Sequence, residues 1–260
     1  MLHMDDRCEI LKQHFVEKHG FWDQSWEALL SLSPDFFEAY LEFSLVAWQT
    51  GAIEPKVREF IYIAVNAATT HLYEPALRHH VRNALKHGAT RDELIEVLQM
   101  ASVLGIHTCT EGVPVLIEEI NRSGGGELDQ LAQDPKRQAL KEKFIRDRGF
   151  WGGFWDDVLK LSPAFFEAYL KFSSVPWKAG KIPPKVKEFI YIAIDSATTH
   201  LYVSGLRIHI QNAFKHGATK EEIMEVLELV SVIGIQACTM GIPILIDELS
   251  KAGQPVGAVP

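Results

Sequence analysis

The chain has 260 residues, an apolar fraction of 47% and a net charge of −8, which together exclude a disordered chain and argue against a nucleic-acid partner. Three cysteines (Cys8, Cys109 and Cys238) are too few for a disulfide framework, and the start shows no signal-peptide pattern, so a cytoplasmic location is expected. No uninterrupted apolar stretch reaches the length of a membrane span, and no membrane partner is expected.

In chain order, the first half carries a series of helix-boundary signals. Prolines at first helical positions, a capping box and helix-breaking glycines mark where helices begin and end. The signals are Ser33-Pro34, Pro55, Glu74-Pro75 up to Gly88, Thr90 with Glu93, and Gly112-Val113-Pro114 as a break or kink. Since no alternating strand pattern of useful length is present, an all-α fold is predicted.

The second half repeats the first. Residues 55–74 and 184–203 are nearly identical, and the offset of 129 positions between them holds along the whole repeat without an insertion or deletion. The prediction is two tandem copies of one helical module, residues 1–121 and 139–260, related by a pseudo-two-fold or pseudo-six-fold operation. Residues 122–138, which include a Ser-Gly-Gly-Gly run, are predicted to form a flexible linker.

A polar stripe crosses the apolar helix that begins at Pro55. Glu59, Tyr62 and Asn66 recur at helical spacing on one face, and the second copy places Glu188, Tyr191 and Asp195 at the same positions. An unpaired buried carboxylate is costly, so these groups need partners. The stripe is either a structural hydrogen-bond network or part of a site.

The following segment concentrates titratable groups near a helix N-terminus. The candidates are Tyr73, Arg78 and His80 in the first copy, and Tyr202, Arg207 and His209 in the second. Tyr and His could equally be structural. His71, Glu74 and His79 are residue types that can bind a metal ion. Two of these positions are apolar in the second copy, so neither a metal nor a cofactor is expected.

The run from Pro55 to Glu93, with His80, Gly88 and Thr90 in characteristic spacing, resembles the carboxymuconolactone decarboxylase and alkylhydroperoxidase D family. The second copy resembles it in the same way. This resemblance implies an all-helical module that assembles into rings, and a homo-oligomer with a trimer favoured. The peroxidase branch carries Cys-x-x-Cys four residues before the family histidine, whereas this chain has tyrosine there and no thiol pair.

The resemblance implies a lyase that removes CO2 from a small carboxylated lactone or related organic acid. His80 would donate the proton, Glu59 would orient it, Tyr73 would stabilise an oxyanion and Arg78 would hold a retained carboxylate. The second-copy counterparts are Glu188, Tyr202, Arg207 and His209. A non-catalytic binding or assembly protein, and a peroxidase using Cys109 or Cys238, remain alternatives.

The two copies differ at a few titratable positions. The first copy has Glu74, His79, His107 and Glu111 where the second has Val203, Ile208, Gln236 and Met240. General acid–base chemistry needs titratable groups, so the first copy is predicted to be the working site.

Overall fold

The computed structural model describes residues 4–124 and 134–256, and within these ranges every regular element is a helix. The helices of the first copy are α1 (Met4–His19), α2 (Gln24–Leu32), α3 (Pro34–Gln49), α4 (Pro55–Ala67), α5 (Glu74–Lys86), α6 (Arg91–Ser102) and α7 (His107–Arg122). Those of the second are α8 (Pro135–Arg148), α9 (Phe154–Leu161), α10 (Pro163–Ala179), α11 (Pro184–Ser196), α12 (Val203–Lys215), α13 (Lys220–Ser231) and α14 (Gln236–Lys251). The predicted all-α fold is confirmed. Residues 125–133 of the predicted linker lie outside the described residues.

The helix starts follow the sequence signals. α3, α4, α10 and α11 each carry proline in the first turn, where its missing N–H costs nothing. Thr90 and Glu93 form the predicted capping box at the start of α6. Ser33, by contrast, makes no side-chain capping bond to α3.

The helix is not broken at Gly112-Val113-Pro114, where a break or a kink is predicted. α7 runs through Pro114, which can at most remove one helical hydrogen bond, that to the Thr110 carbonyl. The helical path is interrupted earlier, by a short 3-10 turn at Val103–Ile106, and the second copy repeats this at Val232–Ile235. The turn, not the proline, therefore separates α6 from α7.

The chain forms two compact units that do not follow the repeat boundary. One unit comprises residues 1–53 and 227–260, and the other residues 54–226. In the first unit α14 packs against α2, and in the second α7 packs against α9, so each unit combines helices of both copies. The predicted modules, 1–121 and 139–260, remain a division of the sequence only.

The two units have equivalent aromatic cores. Phe15, Phe37 and Leu41 are buried in the first unit. Their counterparts 129 positions later, Phe144, Phe166 and Leu170, are buried in the second. The repeat therefore encodes the same packing twice.

Within residues 54–226, the copies meet in a reciprocal way. α4 packs against α11. Arg58 of the first copy pairs with Glu225 of the second at 2.6 Å. Lys187, the counterpart of Arg58, pairs with Glu96, the counterpart of Glu225, at 2.8 Å. Such reciprocity is characteristic of two-fold pairing and agrees with the pseudo-two-fold alternative.

Two helical segments, residues 91–122 and 220–251, each including a 3-10 turn, are long and apolar enough to cross a membrane by length and composition. From the sequence no such segment was expected. Core helices of soluble proteins meet the same criterion, and about a third of each apolar stretch is buried inside the fold. The finding is therefore weak support for a membrane role.

None of the three cysteines, Cys8, Cys109 and Cys238, forms a disulfide. Cys8 lies in α1 and packs, as Cys238 does, against the core of the first unit. Cys109 packs against the core of the second unit. All three are partly buried among apolar side chains, which keeps a thiol inert.

We therefore expect thiol titration of the unfolded protein to find three thiols, before and after exposure to mild peroxide. Loss of two thiols that dithiothreitol restores would contradict this expectation. The Cys8→Ser variant would then test the pair Cys8–Cys238, whose members share one core.

Candidate functional site

Each copy pairs the histidine of its fifth helix with the glutamate of its apolar fourth helix. Nδ1 of His209 lies 2.6 Å from Oε2 of Glu188, and the equivalent distance between His80 and Glu59 is 2.7 Å. Both glutamates are buried. The structure thus brings together the two groups for which the sequence predicted a proton donor and its orienting carboxylate.

A tyrosine of the polar stripe stacks on each histidine. Tyr191 lies 4.6 Å from His209 between ring centroids, and Tyr62 lies 4.4 Å from His80. The ring and the glutamate together fix the orientation of the imidazole, so its Nε2 is the atom left to act on a ligand.

The link between α11 and α12 positions the next candidate, Tyr202. Leu201 adopts a left-handed backbone with φ of 50°, which is unusual for a residue other than glycine. The chain turns back at this residue, so that the backbone N–H of Tyr202 donates to the carbonyl oxygen of Asp195 at 2.8 Å. Tyr202 is thereby held between the end of α11 and the start of α12.

A narrow cavity lies beside His209 within residues 54–226. Its walls are mainly aromatic and include Phe150, Phe154, Trp155, Tyr169 and Tyr202. His107 and Thr110, which belong to the first copy in sequence, complete the wall because α7 packs against α9. The free space is only about 30 Å³, enough for roughly two water molecules. An organic acid can enter only if lining side chains move.

Asp195 and His200 lie close to His107, which lines this cavity. Asp195 is fully buried, and burial raises the pKa of its carboxyl to about 7, against the opposing effect of nearby His209. Burial and the neighbouring His200 lower the pKa of His107 to about 3, so its imidazole is neutral at ordinary pH.

Tyr202 remains protonated in this setting. Burial raises the pKa of its phenol to about 12, and the hydroxyl donates to Oγ1 of Thr110 at 2.7 Å. The ring stacks on His107 with 3.8 Å between centroids. The hydroxyl is a hydrogen-bond donor, as the sequence predicted for an oxyanion contact, although here it is engaged with Thr110.

Sequence reasoning missed Arg148, which also lines the cavity. Its guanidinium lies 5.3 Å from the ring centroid of Trp177 and 5.8 Å from those of Phe144 and Phe150. One terminal nitrogen donates to the Ser173 carbonyl at 3.4 Å, while Nε has no hydrogen-bond partner among the described residues. The equivalent residue of the first copy is His19, so comparison of the two copies did not indicate an arginine at this position.

The carboxylate-binding roles of Arg78 and Arg207 stay predictions, because neither residue lies at the cavity beside His209. Both side chains are exposed. Arg78 forms a surface ion pair with Glu74 one helical turn away, at 2.5 Å. Tyr73 lies 6.1 Å from His71 between ring centroids and is only partly buried.

One residue that supported the first copy as the working site lies beside a residue of the second copy. His107, counted for the first copy, contacts His200 of the second, with 2.6 Å between ring nitrogens. Glu74 and Glu111 are exposed. Only His79 is buried near His80, and it bonds to Asn83 at 2.9 Å. The titratable groups are therefore concentrated around His209.

Comparisons with known proteins identify the family of this chain. The carboxymuconolactone decarboxylase family model matches residues 34–111 and 163–237, which together exceed half of the chain. No curated protein matches significantly. A crystal structure from Burkholderia xenovorans LB400, described as a "putative gamma-carboxymuconolactone decarboxylase subunit", is 45% identical and has a TM-score of 0.89. That similarity covers 94% of this chain and 98% of the other. The chain belongs to the carboxymuconolactone decarboxylase family.

Proposed function

We propose that the protein is a decarboxylase-type lyase acting on a small carboxylated lactone or a related organic acid in the cavity beside His209. The observation that carries the proposal is the buried His209–Glu188 pair, at 2.6 Å, next to an aromatic cavity that also contains the Arg148 guanidinium. The name of the Burkholderia relative supports the choice of a carboxylated lactone.

His209, Glu188 and Arg148 have different roles in the proposed reaction. When the carboxylate leaves as CO2, the electrons of the broken C–C bond pass into a conjugated carbonyl of the substrate. Nε2 of His209 then protonates the carbon, with Glu188 holding the imidazole in place through Nδ1. Arg148 binds the carboxylate that is retained, and its neighbouring aromatic rings exclude water from that contact.

The experiment is turnover of carboxymuconolactone by the purified full chain, followed by loss of substrate absorbance and by released CO2. Equal release of CO2 and product supports the lyase. Binding of the lactone without turnover would instead favour the binding or assembly protein, and thiol-dependent loss of peroxide would favour the peroxidase.

Arg148→Met is expected to raise KM for the lactone about 10- to 100-fold, with a smaller effect on kcat, because a charged hydrogen bond contributes about 1.5–3 kcal/mol. Steady-state kinetics measure the change. Arg207→Met is the matched control, since Arg207 is an exposed arginine of α12 that does not line the cavity. Equal KM values for the two variants would remove Arg148 from substrate binding.

We further propose a homo-oligomer, with three copies favoured by the family resemblance. Large apolar side chains are exposed at equivalent positions of α3 and α10: Phe36, Phe43 and Val46, and Phe165, Phe172 and Val175. Exposed apolar stripes of this kind mark association surfaces. Light scattering at micromolar concentration should give three times the chain mass. A monomer mass would contradict association. A dimer mass would contradict only the predicted number of three copies.

A further inference from the structure

We propose that His107, Asp195 and His200 bind one first-row divalent metal ion, with Zn²⁺ as the expected occupant. Nδ1 of His107, Nε2 of His200 and a carboxylate oxygen of Asp195 all lie within 4.8 Å of one another. Two imidazoles and one carboxylate form a ligand set that such ions prefer, and three protein ligands leave a coordination position free. This set differs from His71, Glu74 and His79, the one considered from sequence.

The distances between the ligand atoms would suit a bound metal ion after small movements of the three side chains. The two ring nitrogens are 2.6 Å apart, and Nδ1 of His107 lies 4.0 Å from Oδ1 of Asp195. Tetrahedral zinc with bonds of about 2.1 Å separates its ligand atoms by about 3.4 Å. The nitrogens would have to separate and the carboxylate approach, each by less than about 1 Å, within the reach of side-chain rotation.

Asp195 supplies the second, independent observation. Its side chain is fully buried, and neither carboxylate oxygen has a hydrogen-bond partner among the described residues. A buried carboxylate without donors is expensive unless a cation compensates it. A hydrogen bond between the two histidines would account for their contact but would give the carboxylate no donor, and Nε2 of His209 lies 3.9 Å from Oδ2, beyond hydrogen-bond distance.

Gly205 makes room for this carboxylate. A Cβ at Gly205 would lie 2.3 Å from Oδ2 of Asp195 and 2.5 Å from the Tyr202 ring. The equivalent residue of the first copy is Ala76. Glycine therefore occurs at this position in the copy that has the carboxylate, and alanine in the copy that does not.

The repeat shows that equivalent positions of the fold do not need these ligands. Asp195 of the second copy corresponds to Asn66 of the first, and His107 of the first copy corresponds to Gln236 of the second. Asn66 is buried, and its side chain donates to the Tyr62 carbonyl at 2.8 Å. The amide thus has a hydrogen-bond partner within its own helix, whereas the carboxylate of Asp195 has none among the described residues.

The test is calorimetric titration of the chelator-stripped full chain with Zn²⁺, with Co²⁺ absorbance as a second readout of coordination. One Zn²⁺ per chain is expected. Asp195→Asn and His107→Gln should each weaken binding by about 100-fold or more. Each variant carries the residue that the other copy has at the equivalent position, so folding should be preserved, and circular dichroism checks it.

His71→Gln is the matched control, because His71 is the first-copy counterpart of His200. Its Zn²⁺ affinity should equal that of the parent chain. Unchanged Zn²⁺ binding in both Asp195→Asn and His107→Gln, or no binding by the parent chain, would overturn the proposal. The inference does not rest on the proposed function: Zn²⁺ binding without lactone turnover would contradict only the lyase, and turnover without Zn²⁺ binding only the metal site.

Discussion

Replacing His209 with alanine is expected to lower kcat/KM for the carboxylated lactone by about 10²- to 10⁴-fold, the usual contribution of a general acid. His209 is the cavity-lining histidine whose Nδ1 is held by buried Glu188, so its loss removes the proton donor and leaves that carboxylate unpaired. Steady-state kinetics with saturating and limiting lactone would measure both kcat and KM.

His80→Ala is the matched control because His80 makes the same contact with Glu59 in the first copy. We expect it to retain most of the turnover, since the groups His107, Asp195 and Arg148 surround His209. Circular dichroism must show that both variants fold. Equal losses would mean two equivalent sites, and unchanged turnover in His209→Ala would remove that residue from the chemistry.

Glu225→Ala is expected to lower the free energy of unfolding by about 3–5 kcal/mol, because removing one partner of a buried pair leaves an uncompensated charge. Glu225 is fully buried and accepts from Nε of Arg58 at 2.6 Å, at the reciprocal contact between the copies. Urea unfolding at one fixed protein concentration gives the free energy, since association shifts apparent stability.

Two further variants separate the charge from the packing. The double replacement Arg58→Met with Glu225→Met should recover most of the stability, because apolar residues of similar size can replace a buried ion pair. Glu118→Ala is the exposed control, with an expected change within about 0.5 kcal/mol. A small effect of Glu225→Ala, like that of the control, would show that this pair does not hold the copies together.

The sequence was sufficient for the fold because its signals are local and repeated. Proline at first helical positions and the Thr90–Glu93 box marked helix starts that the structure reproduces. The 3-10 turn at Val103–Ile106 was missed because nothing in an apolar Val-Leu-Gly-Ile run distinguishes it from a continuing helix.

The site was predictable only in the part built by consecutive helices. Glu188 and His209 lie on neighbouring α11 and α12, so helical spacing and a short connection bring them together. Arg148 and His107 come from distant parts of the chain, and their proximity depends on how helices of one copy pack on the other. Comparing residues copy by copy therefore assigned His107 to the wrong site.

A crystal structure with a saturated analogue of the lactone, which cannot lose CO2, tests the central claim most directly. The account predicts the analogue in the cavity beside His209, with Nε2 facing the carbon to be protonated and a carboxylate on Arg148. An analogue bound away from this cavity, with the His209–Glu188 contact undisturbed, would contradict it.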